Sequence, residues 1–590
     1  MNQIVEDYLY HIGERNGLEE VVVSLLEKMG LEVYSVPQIG VRQYGVDVAA
    51  VGMLPDDDVE RVHLITIKAG DICRKNWNAG SPEDVRPSLD EIEDGYLKQR
   101  IRPQDKDKPI SIHICCGGRV LQELDGNVWP YARELEGRHL DVGLKVDNWN
   151  GSRLSLWIVK YLFDERVFIS ADQRLLKRCF AIIEEAELFS RYYWELLHSV
   201  LKEKVAHGKD VPLSERTDRV RNILLCLGIL VGQAIQVNHL EGVYFALERS
   251  IVYVWQYLRL GTLRSNVAEG PVRQMLCALS IYDRVANLYF ENIRKVSSDP
   301  YLFALASGGN EVDVNLKFYH VLSRLSEYGL FLLKYYDIVC KELGDEANKS
   351  LMAAYESRIK GVADCVCGLI RNNTVASQPL LDYNHYAISI TGIFLRCVGR
   401  DRFAHEWILN VIRTIDIRFL RKKGFPVSAL TYEELLEHVE GNLEIEKRNQ
   451  VLRSGELYAM LCLVSIAFDW QDVYDEVVKI AKIHVPQMNH QLWYINDGDE
   501  QFLYRQEEVG GRQLCDLPIE DKELFLTIVE REGKICRAKS VRGRSIMQSF
   551  FFVACRLNGV PIPADIWCPS CEEPNKGRVT DSVDGVEIVV

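Results

Sequence analysis

The chain has no apolar stretch long enough for a membrane. Its longest, "ILLCLGILVG" at 223 to 232, is about half of the roughly twenty residues that a spanning helix needs. A bilayer role for the apolar helices around 223 to 260 is further disfavoured by Glu241, Glu248 and Arg249. It also lacks a basic excess: 85 acidic residues against 70 Lys and Arg give a formal charge of -15. That excludes a surface coated generally in phosphate-binding cations, because counterion release requires clustered Lys and Arg. No Gly-Lys-Ser/Thr phosphate loop and no His-Glu-x-x-His occur, so ATP hydrolysis and zinc-protease chemistry have no support. There is no low-complexity tract and no fixed helical repeat, and the N-terminus is expected to carry no secretory signal.

The 16 cysteines are scattered, with Cys115 and Cys116 adjacent in an apolar run, and read as reduced thiols of a cytoplasmic protein. "CPSC" at 568 to 571 has the spacing of half a zinc site, but no second pair stands near it in sequence. The length, 590 residues, implies about three or four domains.

Periodicity changes along the chain. "GLEEVVVSLLEKMG" places apolar residues at 18, 21, 22, 25, 26 and 29, the spacing of an amphipathic helix closed by Gly30. Three β-rich runs follow at 31 to 36, 44 to 51 and 61 to 68, then a polar helix at 84 to 101. After it come an apolar strand at 110 to 116, a helix at 128 to 137 and a last strand at 140 to 146. The order αβββαβαβ predicts a mixed sheet flanked by helices over residues 1–160. The remainder reads as all-helical, with a connector at 161–210, one or more domains at 211–490, and a C-terminal helical segment and tail at 491–590.

The chemistry concentrates in two strands. "YGVDV" sets Asp47 among apolar residues, and "LITIK" puts Thr66 and Lys68 on one strand face with Ile65 and Ile67 on the other. If the strands pair as a hairpin, Asp47 approaches Thr66 and Lys68. A carboxylate beside a lysine suits Mg²⁺ binding and charge stabilisation on a phosphate.

These residues resemble the PD-(D/E)xK nucleases, and among them the Mrr-like restriction-endonuclease domains of bacterial anti-phage defence. The likeness covers about residues 13 to 150. "GLEEVVVSLLEKMGLEV" is similar to the family's first helix with its glutamate at Glu19, Glu20 being the adjacent alternative; "YGVDV" looks like the strand of the metal-binding Asp47, and "ITIKAGDI" like the strand ending in the catalytic Lys68. The resemblance implies a restriction-endonuclease-like fold, cleavage of DNA, and Mg²⁺ or Mn²⁺ held by Asp47, Glu19 and the Ile67 carbonyl, aided by Asp71.

Thr66 departs from the family, standing where an acidic residue or Gln is expected, and a neutral hydroxyl is a poor ligand for a hard dication. Two readings follow. One is an endonuclease effector controlled by a helical sensor or assembly region, with a protein partner or self-assembly through that region. The other is an inactive nuclease-fold scaffold.

Three further groups take bland expectations. Arg74, Lys75, Lys98, Arg100, Arg102, Lys106 and Lys108, interleaved with Trp77 and Tyr96, form a candidate nucleic-acid patch that more often is a solvated face. Tyr253, Trp255, Tyr257, Tyr319, Tyr328, Tyr335 and Tyr336 read as helix packing. His385, His405 and His490 read as structural histidines.

Overall fold

In a computed structural model, the described residues are 2–12, 14–36, 43–55, 57–81, 84–162, 170–202, 211–258, 260, 269–342, 349–428, 430–496, 500–505, 511–535 and 547–562. The Cys-x-x-Cys at 568 to 571 lies outside them. The chain divides into two compact units, Met1–Leu247 with Arg273–Val285, and Glu248–Val272 with Ala286–Val590. The change from mixed to helical structure near Trp157 falls inside the first unit.

The first unit begins with α1 (Asn2–His11) and α2 (Glu19–Lys28), joined through a π-helical turn at Glu14–Leu18. Strands β1 (Glu32–Ser35), β2 (Val48–Gly52) and β3 (Arg61–Lys68) follow. Next come α3 (Val85–Glu91), β4 (Ile110–Cys116), α4 (Asp125–Arg138), β5 (Lys145–Trp149) and α5 (Gly151–Trp157). Helices α6 (Ser170–Ala181), α7 (Ala186–Val200) and α8 (Leu213–Gln236) come next. The unit boundaries fall within α9 (Glu241–Leu258) and α10 (Glu269–Ser297).

The five strands lie in chain order, β1-β2-β3-β4-β5. The first two pairings are antiparallel and the last two parallel, as expected where hairpins give way to helical crossovers. β3 is central and buried along its whole length. Its Val62 and Leu64 belong to a core shared with Ile112 and Ile114 of β4, Val85 and Leu89 of α3, and Val128 and Leu135 of α4.

The last strand runs over 145–149 rather than 140–146. Gly143, at φ 58°, turns the chain after a short 3₁₀ segment at Leu140–Val142, and Leu140 is exposed. The polar helix at 84 to 101 is broken by a π-helical turn at Ile92–Tyr96.

On the other face of the sheet β3 and β4 carry buried His63 and His113. His63 Nε2 lies 3.1 Å from the Gly52 carbonyl and Nδ1 lies 2.9 Å from His113 Nε2. A carbonyl only accepts, so Nε2 of His63 donates to it and Nδ1 accepts from His113, which fixes both neutral tautomers. His113 stacks on Trp149, with ring centroids 4.0 Å apart. Burial lowers the pKa of both imidazoles, that of His113 well below its ordinary 6.5.

The second unit contains α11 (Glu311–Glu342), α12 (Lys349–Asn372), α13 (His385–Cys397), α14 (Asp401–Leu420), α15 (Leu457–Ala467), α16 (Gln471–His484) and α17 (Met547–Leu557), with shorter helices between them. It is not wholly helical. Leu492–Ile495 pairs antiparallel with Gly511–Leu514, and Ser454–Gly455 pairs with Asn489–His490. Tyr253, Trp255, Tyr257, Tyr319 and Tyr328 are buried as packing residues. His385 and His405 meet Glu456 and Asp472 at 3.2 and 2.9 Å, and His490 is buried.

A buried ionic network fastens α17 in this unit. Arg556 reaches Glu248 at 2.6 Å and Glu327 at 2.9 Å, while Arg324 meets Glu248 at 3.0 Å. Tyr386 donates to Glu327 at 2.6 Å. Two carboxylates facing two guanidiniums balance in charge, and removing one member would strand the others in a low-dielectric interior.

Two outcomes are expected. Arg556→Met should destabilise the second unit by about 3–5 kcal/mol, read by urea denaturation, and a loss under about 1 kcal/mol would mean that the network is not holding α17. For the histidine pair, the folded state disfavours protonation relative to the unfolded chain. Their contribution is therefore complete above the unfolded value of 6.5 and is lost as pH falls below it. The slope is up to about 1.4 kcal/mol per pH unit for each histidine. His113→Phe should flatten the slope of denaturation free energy between neutral and mildly acidic pH, and an unchanged slope would refute the assignment.

Candidate functional site

Asp47 sits where the chain enters β2. Gly45, at φ 75°, turns the backbone just before it, and a Cβ there would lie 2.1 Å from the Ser88 carbonyl oxygen, so only glycine fits. From Val48↔Ile65 onward the hairpin is regular. At its open end the Asp47 backbone N–H donates to the Ile65 carbonyl at 2.9 Å, and the Asp47 carboxylate accepts from the Ile67 N–H at 2.6 Å. Asp47 therefore lies beside the Thr66–Ile67 peptide of the strand that ends in Lys68.

Thr66 and Lys68 register with Ile114 and Cys116 of β4. Thr66 is 1 % exposed, and its hydroxyl has no hydrogen-bond partner among the described residues. Lys68 Nζ lies 3.3 Å from Glu14 Oε1. Glu14 belongs to the π-helical turn ahead of α2, whereas Glu19, the family-like position, is buried in the first turn of α2. Glu14 is thus the residue that the sequence reading missed. The reading sought acids within the amphipathic helix, and this one precedes the first apolar repeat.

Asp71 serves the loop. Its Oδ1 accepts from the Arg119 N–H at 2.9 Å, beside the approach of Gly118 N–H to the Gly70 carbonyl at 2.8 Å.

Among the described residues, no group of three or more His, Cys, Asp or Glu stands close enough to hold a metal ion. The expected set of Asp47, Glu19 and the Ile67 carbonyl is not reinforced by Thr66, whose hydroxyl is neutral and enclosed. Mg²⁺ ordinarily takes only one or two carboxylates and fills its octahedron with water and phosphate oxygens. Asp47, whose carboxylate accepts from the Ile67 N–H at 2.6 Å, is one such carboxylate. The residues fit an ion arriving with a phosphate-bearing substrate better than one held in its absence.

The basic run does not form a free phosphate track. Arg102 pairs with Glu32 and Asp105 at 2.5 and 2.6 Å, Lys108 with Glu60 and Asp105 at 2.9 and 3.0 Å, and Lys98 with Asp94 at 3.1 Å. Arg74 faces Glu123 at 3.8 Å, and Arg100 lies over the Tyr44 ring. Trp77 and Tyr96 are buried in the sheet core, so neither offers a stacking platform. No described helix is long and apolar enough to cross a membrane. Compared with protein-family models, curated proteins and solved structures, the chain matches none of them.

Proposed function

We propose that the sheet of the first unit is a restriction-endonuclease-like domain that cleaves DNA phosphodiester bonds with Mg²⁺ or Mn²⁺, as the effector of a prokaryotic anti-phage system. The helical remainder senses a trigger or assembles subunits. The observation that carries this reading is the Asp47 carboxylate fastened to the Ile67 N–H, one residue before Lys68, at one end of an antiparallel hairpin whose second strand pairs in parallel with β4.

In this reading Asp47, and Glu14 once released from Lys68, are the acids that would hold the ion. When bound, the ion would neutralise phosphate charge and lower the pKa of a coordinated water. Lys68 would supply a fixed ammonium to charge developing on the phosphate. The Glu14 pairing keeps that ammonium from standing as an uncompensated charge in a largely enclosed place.

A second reading keeps the fold and removes the chemistry, leaving a nucleic-acid-binding or scaffold module. It is favoured by Thr66, enclosed and without a partner for its hydroxyl where the family carries an acid.

Plasmid DNA incubated with the full chain and Mg²⁺ or Mn²⁺ separates the two. Lys68→Ala and Asp47→Asn should each lower cleavage at least a hundredfold. Equal cleavage by all three proteins would point to a contaminant, and an intact plasmid under every condition favours the scaffold. The donor set predicts, in addition, that millimolar Mg²⁺ alone leaves the thermal midpoint unmoved, while Mg²⁺ with DNA raises it. A shift from Mg²⁺ alone that Asp47→Asn abolishes would show a resident site instead.

A further inference from the structure

Apart from the sheet, the first unit encloses a cavity of about 280 Å³ among α1, the π-helical turn, α2, α8 and α10. Its walls follow helical spacing. α8 contributes Arg221, Leu224, Leu225, Gly228 and Val231, and α10 contributes Arg273, Cys277, Ile281 and Arg284, each set one face of its helix. Gly228 is small because Tyr8 of α1 presses there: a Cβ would lie 2.8 Å from the Tyr8 hydroxyl.

The polar part of the lining leans positive. Three arginines, Arg221, Arg273 and Arg284, face two acids, Glu20 and Asp283. Arg273 turns one nitrogen outward to Glu27 at 2.7 Å, and Arg221 gives Nη1 to Asp218 at 2.9 Å. Arg221 Nε is buried and has no hydrogen-bond partner among the described residues. Guanidinium groups at the cavity wall are planar donors, and an anionic oxygen is the acceptor that such groups take most strongly.

We infer that this cavity binds a small amphipathic anion, an apolar body against Leu224, Leu225, Val231 and Ile281 with one carboxylate or phosphate head at Arg221 and Arg273. The volume, just under the lower bound of about 300 Å³ for drug-sized sites, limits the ligand to a short chain or a single ring. The aliphatic lining favours a chain over a stacked aromatic ring. The site has a neighbour of consequence. Ile12 and Gly17 line the cavity, and Glu14, which takes Lys68, lies between them in sequence and shares the π-helical turn with Gly17. Occupancy would therefore reach the Lys68 pair through one turn of backbone. Binding itself stands whatever chemistry Lys68 performs.

Isothermal titration of the full chain with octanoate, octyl phosphate and octan-1-ol tests the inference. One of the two anions should bind with one-to-one stoichiometry and at least tenfold more tightly than the alcohol, and their relative affinities tell carboxylate from phosphate recognition. Arg221→Gln should weaken the anion tenfold or more, and Leu225→Trp, which fills the cavity, should abolish binding. Ser280→Leu serves as a milder filling change should the tryptophan variant fail to fold, as judged by circular dichroism. No saturable anion binding, equal affinity for the alcohol, or undiminished binding in a folded filled variant would overturn it.

Discussion

Everything proposed for the sheet depends on one hydrogen bond, from the Ile67 N–H to the carboxylate of Asp47. A β-ladder that ends leaves peptide groups without partners, and a carboxylate is a strong acceptor for such an N–H. The bond extends the β2–β3 pairing beyond Val48 and brings an acid beside the Thr66–Ile67 peptide of the strand that ends in Lys68. Charge at the strand end is thereby combined with order. The sharp turn at Tyr44 and Gly45, both at positive φ, delivers Asp47 to that place, and the Ser88 carbonyl behind Gly45 leaves no room for a side chain.

The same economy governs the charges placed deepest. His63 and His113 stay neutral by sharing one proton between facing nitrogens and giving another to the Gly52 carbonyl. Glu248, Glu327, Arg324 and Arg556 face one another as two carboxylates and two guanidiniums, with Tyr386 donating to Glu327. The first solution suits two groups whose neutral form lies close to physiological pH. The second suits groups for which neutralisation is far more costly. In the first set the two protons go to a facing imidazole and a carbonyl, and in the second two carboxylates face two guanidiniums.

Much of the sheet was legible because the strand at 110 to 116, covered on both faces, reads as a nearly continuous apolar run, and the strand at 61 to 68 as a β-rich run. The period-2 rule also set Thr66 and Lys68 apart from Ile65 and Ile67, and their register against Ile114 and Cys116 accords with it. The failures have physical causes. β5 begins later than its apolar pattern suggests because Gly143 turns the chain there and leaves Leu140 outside. The lysines and arginines near residue 100 could not be sorted into free and paired from sequence. Their partners Glu32 and Glu60 come from β1 and the β2–β3 connection, distances along the chain at which spacing carries no information.

Glu14 illustrates the same limit at the site. A π-helical turn adds a residue to the helical period and rotates what precedes it, so a period of 3.6 counted back from α2 misplaces everything before Glu19. That rotation lets one short segment serve two surroundings, with Ile12 and Gly17 at the cavity and Glu14 at Lys68. π turns are uncommon in stable helices because they weaken the hydrogen-bond ladder, and their retention commonly marks a place where side-chain direction matters more than local stability. Here the side chain so directed is the acid 3.3 Å from Lys68 Nζ. Its position depends on a turn whose Gly17 lines the cavity, so packing there and charge at the strand end share one short segment.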